Sequence, residues 1–380
     1  MPWPTTERFD DALASDHTVV TKAEVLVGEE VVEDLVALGA VVDGSVTVQG
    51  GDTERTASLS IIDIDGTLTP RDMDDLLAPT GNQIRLSRGI KFATPTVGSY
   101  EDTEEYVPLI TARFTSTRSH YPYVELTEMY DRSWIVAGAL LENTLVILSG
   151  ANVWEAVSAV LETAYPGVPT NFPDTDEVCN RMIFDPGTNP WQIARDLAMN
   201  VGYRLAFDPL GVATGYSDPD LTDESAVSTF DDTTDSNLAS SAEMEWVGQA
   251  FNAVLVTSDN SDLVVPVRGL VKDEDPSSPT QYGGKYGRRL AEPIADEKVR
   301  TVAQAILRAQ TELRTMTGVM QQINMTTMVN PGWGYGDVVV ANLTRRAIEH
   351  QLCTLDNWSV PMRAKNVETV LNTRARRVIT

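Results

Sequence analysis

Between residues 18 and 148, apolar and polar side chains alternate in short runs that close on turn residues. That period of two places one face of a strand in a core and the other in water. Residues 22–27 alternate and stop at Gly28. Residues 44–49 and 56–62 flank Gly50, Gly51 and Asp52, a composition suited to a hairpin loop. Residues 82–92, 106–118 and 123–129 continue the pattern. Runs this closely spaced leave no room for parallel crossovers, so they are predicted to pair antiparallel and to curl into a barrel or sandwich.

The period changes after Ser149. Asn152 is placed to cap a helix over 153–164, with Trp154, Val157, Val160 and Leu161 on one face and Pro166-Gly167 beyond its end. A second helix has Asn189 at its cap, Pro190 in its first turn and Gly202 as its stop. Residues 203–207 and 212–216 read as a hairpin around Asp208 to Gly211. Residues 217–241, rich in Asp, Ser and Thr, read as a long acidic connection. Strand patterns return at 251–257 and 262–268. A long amphipathic helix is predicted over 296–315, with Val299, Val302, Ala303, Ile306, Leu307 and Leu313 along its apolar stripe. Residues 319–329 alternate weakly, 330–337 form a turn feeding 338–341, and 353–361 and 367–373 are strand-like. The predicted fold is mainly β with an α+β insert. A first antiparallel β-barrel occupies 1–148, a small helical α+β domain with its acidic connection 149–245, and a second β-barrel carrying one long helix 246–380.

Composition narrows the function classes. At 380 residues and 42% apolar, the chain is long enough for such domains. No apolar run approaches the ~18 residues of a spanning helix, so no membrane anchor is expected. Residues 1–10 lack a basic start and an apolar core, so no signal peptide is expected and folding is placed in a cytoplasm. Two cysteines, Cys179 and Cys353, are too few for a disulfide framework or a cysteine zinc site, and read as buried thiols. His17, His120 and His350 have no partner at metal-ligand spacing, so neither a metal nor a cofactor is expected.

Charge adds more. Lys and Arg number 29 against 55 Asp and Glu, a net charge of −26. Such a surface opposes stable binding of nucleic acid, although repulsion suits a channel through which DNA slides. The distribution is uneven. Residues 173–245 hold 15 acids against three Arg and no Lys. Residues 361–380 carry Arg363, Lys365, Arg374, Arg376 and Arg377 against Glu368 alone. This basic end is expected to dock on an acidic neighbouring surface.

One motif carries the look of chemistry. Residues 63–67, Asp-Ile-Asp-Gly-Thr, resemble the first motif of haloacid-dehalogenase-like phosphatases, which would make Asp63 a nucleophile and Asp65 a general acid/base beside Mg²⁺. That family buries the preceding strand in a parallel sheet, where it reads as continuously apolar. Residues 56–61 instead alternate, as an antiparallel strand does, and one short helical stretch (71–77) follows before more strands. The alternative is a turn, with Asp63 and Asp65 accepting backbone N–H bonds and Gly66 at positive φ. Residues 281–287, Gln-Tyr-Gly-Gly-Lys-Tyr-Gly, lack the spacing of a phosphate loop and read as a loop or interface. Asn324, Asn342 and Asn357 fit the glycosylation sequon without a secretion signal. Trp134, Trp154, Trp191, Trp246, Trp333 and Trp358 are scattered singly, as packing residues are. No residue is therefore assigned a catalytic, cofactor-binding or metal-binding role, and the chain reads as a non-enzyme.

The order of segments resembles the baseplate hub proteins of tailed phages, also called tail-associated hub or minor tail proteins. The resemblance is carried by the strand at 44–48, by 55–70 with its Asp-Ile-Asp-Gly-Thr turn, by 77–89 and 105–109, by Asn189-Pro190-Trp191, by 331–340 and by the ending from Trp358 to Arg374. It implies tube-type β-barrels and a homotrimer whose six barrels form a pseudo-hexameric ring. It further implies that the ring lets DNA pass. The implied partners are a distal tail protein or tail tube ring, the C-terminus of the tape-measure protein, and tip or fibre proteins. The implied location is the virion tail tip. Relatives that carry a lytic domain extend further, and none is expected after Thr380. A distal tail protein remains the alternative structural reading.

Overall fold

The computed structural model describes residues 2–13, 15, 17–35, 41–92, 104–217, 225–232, 238–246, 251–258, 265–276, 278, 280–296, 298–317, 321–346, 348–365 and 368–375. Helix α1 (Glu7–Leu13) precedes seven strands: β1 (Thr18–Val27), β2 (Glu30–Asp34), β3 (Val41–Gln49), β4 (Arg55–Ile62), β5 (Gln83–Lys91), β6 (Glu104–His120) and β7 (Tyr123–Asp131). The insert comprises α2 (Ser133–Gly138), β8 (Leu145–Ile147), α3 (Val153–Ala164), β9 (Thr170–Asn171), β10 (Met182–Phe184), α4 (Pro190–Asn200), β11 (Tyr203–Phe207) and β12 (Ala213–Ser217). Strands β13 (Ala226–Asp231) and β14 (Leu238–Trp246) follow. A small unit then contains β15 (Ala253–Thr257), β16 (Arg268–Lys272), β17 (Ile294–Ala295) and α5 (Val302–Thr317). The chain ends on β18 (Gln321–Met328), β19 (Val338–Leu343), β20 (Ile348–Pro361) and β21 (Glu368–Ala375).

The protein is mainly β, as the alternation predicts. Thirteen strands form one large sheet along the path β14-β18-β21-β20-β3-β4-β7-β6-β5-β1-β2, with β19 on β20 and β13 on β19. The two β-rich regions of the sequence are thus continuous. They meet where β20 pairs antiparallel with β3, from Asn357 opposite Gln49 to Pro361 opposite Ser45. Val46 faces Val360 and Val48 faces Trp358 across this seam, and all four are buried. Below it, one apolar cluster draws residues from both regions, including Leu59, Ile84, Phe114, Ile323, Leu355 and Leu371. Arg88 of β5 donates to the Pro361 carbonyl at 2.5 Å and ties the regions again.

Three local expectations need correcting. Ala226–Asp231 and the start of Leu238–Trp246, placed in the acidic connection, form β13 and β14 of the large sheet. Strand β13 pairs parallel with β19, an exception to the antiparallel rule of the region. Polar side chains there did not prevent pairing, because a strand needs apolar residues only where it faces the core. The other parts of that connection, 218–224 and 233–237, lie outside the described residues. The second correction concerns the strand expected at 262–268. It begins only at Arg268, and 262–264 lie outside the described residues.

The third correction is the helix stripe. Helix α5 starts at Val302, six residues later than predicted, and presents a different face. Val299, Ala305, Ala309 and Leu313 are buried, while Val302 is 54% exposed and Ile306 37% exposed. The cause is close approach. A Cβ added at Gly269 of β16 would lie 2.4 Å from the Ala305 carbonyl carbon, so only the small-residue face of the helix fits against the sheet. The larger apolar side chains rotate outward.

The insert follows its local signals closely. The Asn152 side chain accepts from Trp154 N–H at the start of α3. Asn189 accepts from the N–H groups of Trp191 and Gln192, with Pro190 in the first turn of α4. Strands β11 and β12 form the expected hairpin. Trp154, Val157, Leu161, Trp191 and Leu197 close a separate core. Cys179 lies in that core and Cys353 in the sheet core, and both are buried free thiols.

Candidate functional site

The phosphatase-like motif is a turn. Strand β4 ends at Ile62 and is paired antiparallel on both sides, with β3 and with β7. Asp63 follows, buried, with its N–H donating to the Pro122 carbonyl at 2.7 Å. Its carboxylate accepts from Leu68 N–H at 3.2 Å and from the Thr69 hydroxyl at 2.7 Å. Burial pushes this carboxyl up, but the hydrogen bonds from Thr69, Leu68 and Thr67 outweigh it, leaving Asp63 below the ordinary aspartate range. Gly66 takes φ +67°. Asp65 is exposed. A nucleophile of that family needs a free carboxylate, whereas the Asp63 carboxylate is committed to the Leu68 N–H and the Thr69 hydroxyl of its own turn. Residues 71–77 are turns and bends, not the short helix expected, because Asp75 accepts from Arg71 and Asp72 N–H and closes a tight loop.

The polar chemistry of the chain concentrates where the insert meets the sheet. Arg132, which follows β7, is fully buried. Its Nε donates to Gln83 Oε1 at 2.9 Å and its Nη1 to the Gly211 carbonyl at 2.8 Å. Nη2 pairs with Glu29 at 2.8 Å, and the guanidinium lies 5.5 Å over the Tyr165 ring. One side chain thus joins β5, the β1–β2 turn, α3 and the β11–β12 hairpin. The fit leaves no spare room. Gly211 has φ +83°, and a Cβ there would lie 2.6 Å from Arg132 Nε.

Asp131 sits beside it, almost wholly buried. Its carboxylate accepts from the N–H of Arg55 at 2.8 Å and the N–H of Ser133 at 2.9 Å, and also from the Ser133 hydroxyl. Burial raises its pKa to about 6, against the lowering effect of those donors. Arg204 from β11 pairs with Glu54 and lies between the rings of Tyr216 and Tyr335, at 4.7 and 4.8 Å. Trp191 Nε1 donates to the Asp52 carbonyl at 2.8 Å, and the Thr111 hydroxyl to the Pro209 carbonyl at 2.9 Å. Asp208 lines the same cleft, its pKa raised by burial and held back by the Val212 N–H. The cleft encloses about 170 Å³ between Trp3, Arg55, Arg204, Asp208 and Tyr335. Its arginines are engaged by carboxylates, rings and carbonyls. The arrangement is a clamp that fixes the insert on the sheet. Sequence reading passed over this site. Its one visible signal is Asp131-Arg132-Ser133, charges closing an alternating strand.

Two larger concavities lie elsewhere. One of about 900 Å³ runs between the N-terminal segment at Trp3 and Leu13, β13 at Val227 and Phe230, and Met328. The other, of about 760 Å³, opens on the outer face of β20 and β21, lined by Asn357, Ser359, Pro361, Lys365 and Val370. The basic end is partly engaged within the chain. Arg374 makes a two-pronged ion pair with Asp356 at 2.5 and 2.6 Å. Arg376 and Arg377 lie outside the described residues. Among the described residues, no cluster of His, Cys, Asp and Glu could hold a metal ion, and no helix is long and apolar enough to cross a membrane.

No protein-family model matches the chain, and no curated protein matches it in sequence. Solved structures define its class instead: the fold is that of phage tail proteins. It is similar to a tail protein from Neisseria meningitidis MC58, with a TM-score of 0.63 at 13% identity, over 93% of this chain and 96% of that one. It is also similar to the 43 kDa tail protein of prophage MuSo2 from Shewanella oneidensis, with a TM-score of 0.60 at 12% identity, over 93% and 98% of the two chains. The prophage tail protein gp18 from Listeria monocytogenes EGD-e gives a TM-score of 0.54 at 9% identity, over 94% and 96%.

Proposed function

We propose that this chain is a structural hub protein of a phage tail tip or baseplate. The observation that carries the reading is likeness over nearly the whole length of three tail proteins, insert included. The polar clamp supports it, since a subunit that transmits force between rings needs its insert fixed on its sheet. The turn geometry at Asp63 argues against hydrolysis, and the protein acts by assembly, not catalysis. In this reading the chain divides into the β region before residue 149, the insert, and the later β region that starts at β13 instead of residue 246. Three copies form a pseudo-hexameric ring that joins the tail tube or distal tail protein to the tip and lets DNA pass. Neighbours are the tape-measure C-terminus and tip or fibre proteins. The net charge of −26 suits a passage that must not hold DNA.

Quantitative mass spectrometry of purified tails, with cryo-electron microscopy, tests the proposal. Three copies per tail at the tip are expected. Six copies would replace the hub with a distal tail ring, and absence from tails would end the reading.

A further inference from the structure

The β8–β10 ribbon on the insert has two unlike faces. Ile147, Met182 and Phe184 point into the insert core. Val146 and Ile183 pair directly across the ribbon and point outward. Leu148, directly after β8, and Leu140 and Val178, on the segments before β8 and β10, are exposed as well, and the five apolar side chains of this crest are each 45–67% exposed. Scattered exposed apolar residues are ordinary, but a directly paired, outward-facing Val146 and Ile183 with three further exposed apolar side chains on the same segments suits a contact surface. Its border carries four acids and one base, Arg181, which is exposed two positions from Ile183. Glu142, Asp176, Glu177 and Asp185 lie within two positions of crest residues in the sequence, and all four are exposed.

A complementary surface exists on the same chain. The 760 Å³ concavity on β20 and β21 sets Trp358, Pro361 and the 53%-exposed Val370 among polar side chains, with Lys365 and Glu368 both in its lining. Arg363 and Lys365 are exposed in the β20–β21 turn and, among the described residues, form no ion pair; Glu368 is the acid beside them. The groove runs along β20 from Asn357, which pairs with Gln49, to Pro361, which pairs with Ser45.

We propose that the ribbon crest of one copy seats in the β20–β21 groove of a second copy. Apolar contact at the centre would drive association, and the four border acids against Arg363 and Lys365 would set its direction. The contact is head-to-tail, so repetition closes a ring if the rotation allows and extends if it does not. The proposal deepens the ring reading and rests on it only for the number of copies.

Sedimentation velocity of the full chain over a range of concentrations tests the contact. The wild type is expected to self-associate. Ile183→Asp and Val370→Asp are each expected to weaken association by at least about tenfold, since each would bury an unpaired carboxylate in an apolar contact. Both positions face outward, so circular dichroism and melting temperature should match the wild type. Mixing the two variants leaves one intact crest and one intact groove, so the mixture should form dimers and nothing larger. As a check that does not touch apolar positions, Arg363→Glu with Lys365→Glu should weaken association, and Glu142→Lys with Asp185→Lys should restore it. A wild type that stays monomeric, or assemblies that persist in both Asp variants, would overturn the contact. Assemblies that persist would do so while leaving the tail reading intact, whereas absence of the chain from purified tails would remove that reading whatever sedimentation shows.

Discussion

The β3–β20 seam and the insert junction each join segments far apart in the sequence, but one is dry and the other charged. At the seam a backbone ladder runs over buried Val46, Val48, Trp358 and Val360. At the junction Arg132, Asp131 and Arg204 meet carbonyls, amides and rings. Apolar contact is tolerant of small shifts, because its energy follows area and not direction. Hydrogen bonds to a buried guanidinium hold only in one geometry. The seam therefore gives cohesion, and the junction gives orientation to the insert.

The sharpest way to break the seam is Trp358→Ala, which empties a large buried site. It should cost about 3–5 kcal/mol and lower the melting temperature of the whole molecule in one transition, read by calorimetry. Arg132→Ala should cost slightly less, about 3 kcal/mol, by leaving Gln83 and the Gly211 carbonyl without a buried donor. Its distinct signature is local. Limited proteolysis should cut at the insert boundaries before the sheet unfolds, whereas Trp358→Ala should expose both together.

Asp131 sharpens the comparison through pH. Its folded pKa of about 6 lies above the ordinary aspartate value of 3.8. The folded state therefore takes up a proton before the unfolded chain does. Its contribution to stability is fully present below about pH 3.8 and is lost as pH rises through about 6. The integrated effect is about 2–3 kcal/mol. In Asp131→Asn this part of the slope between pH 4 and 6 should vanish in denaturant titrations. Substitutions at the seam should leave it unchanged. The smallest effect belongs to Asp63→Ala, which loses the Leu68 and Thr69 hydrogen bonds of an isolated turn. It should cost about 1 kcal/mol, with no change at the junction.

Local signals were legible because their physics is local. Asn152, Asn189, Pro190 and Gly202 set helix ends through caps that act within one turn. Alternation gave β1 and β3 to β7, since burial of one strand face leaves its mark on the strand itself. The α1 helix was missed because its seven residues carry a single buried apolar side chain, Phe9. The β2 strand was missed because it lies at an edge of the sheet, with Val31 and Val32 exposed.

What the sequence by itself determined was the class: a mainly β chain with a capped helical insert, and a turn in place of a nucleophile at Asp63. The tertiary structure alone decided the rest. It placed β20 beside β3, some 300 residues away, because pairing partners are chosen by a shared core and not by neighbours in the chain. It turned the alanine face of α5 inward because Gly269 brings backbone against backbone. It gathered Glu54, Asp131, Arg132 and Arg204 into one clamp, since charges enter a core only where distant segments supply every partner at once.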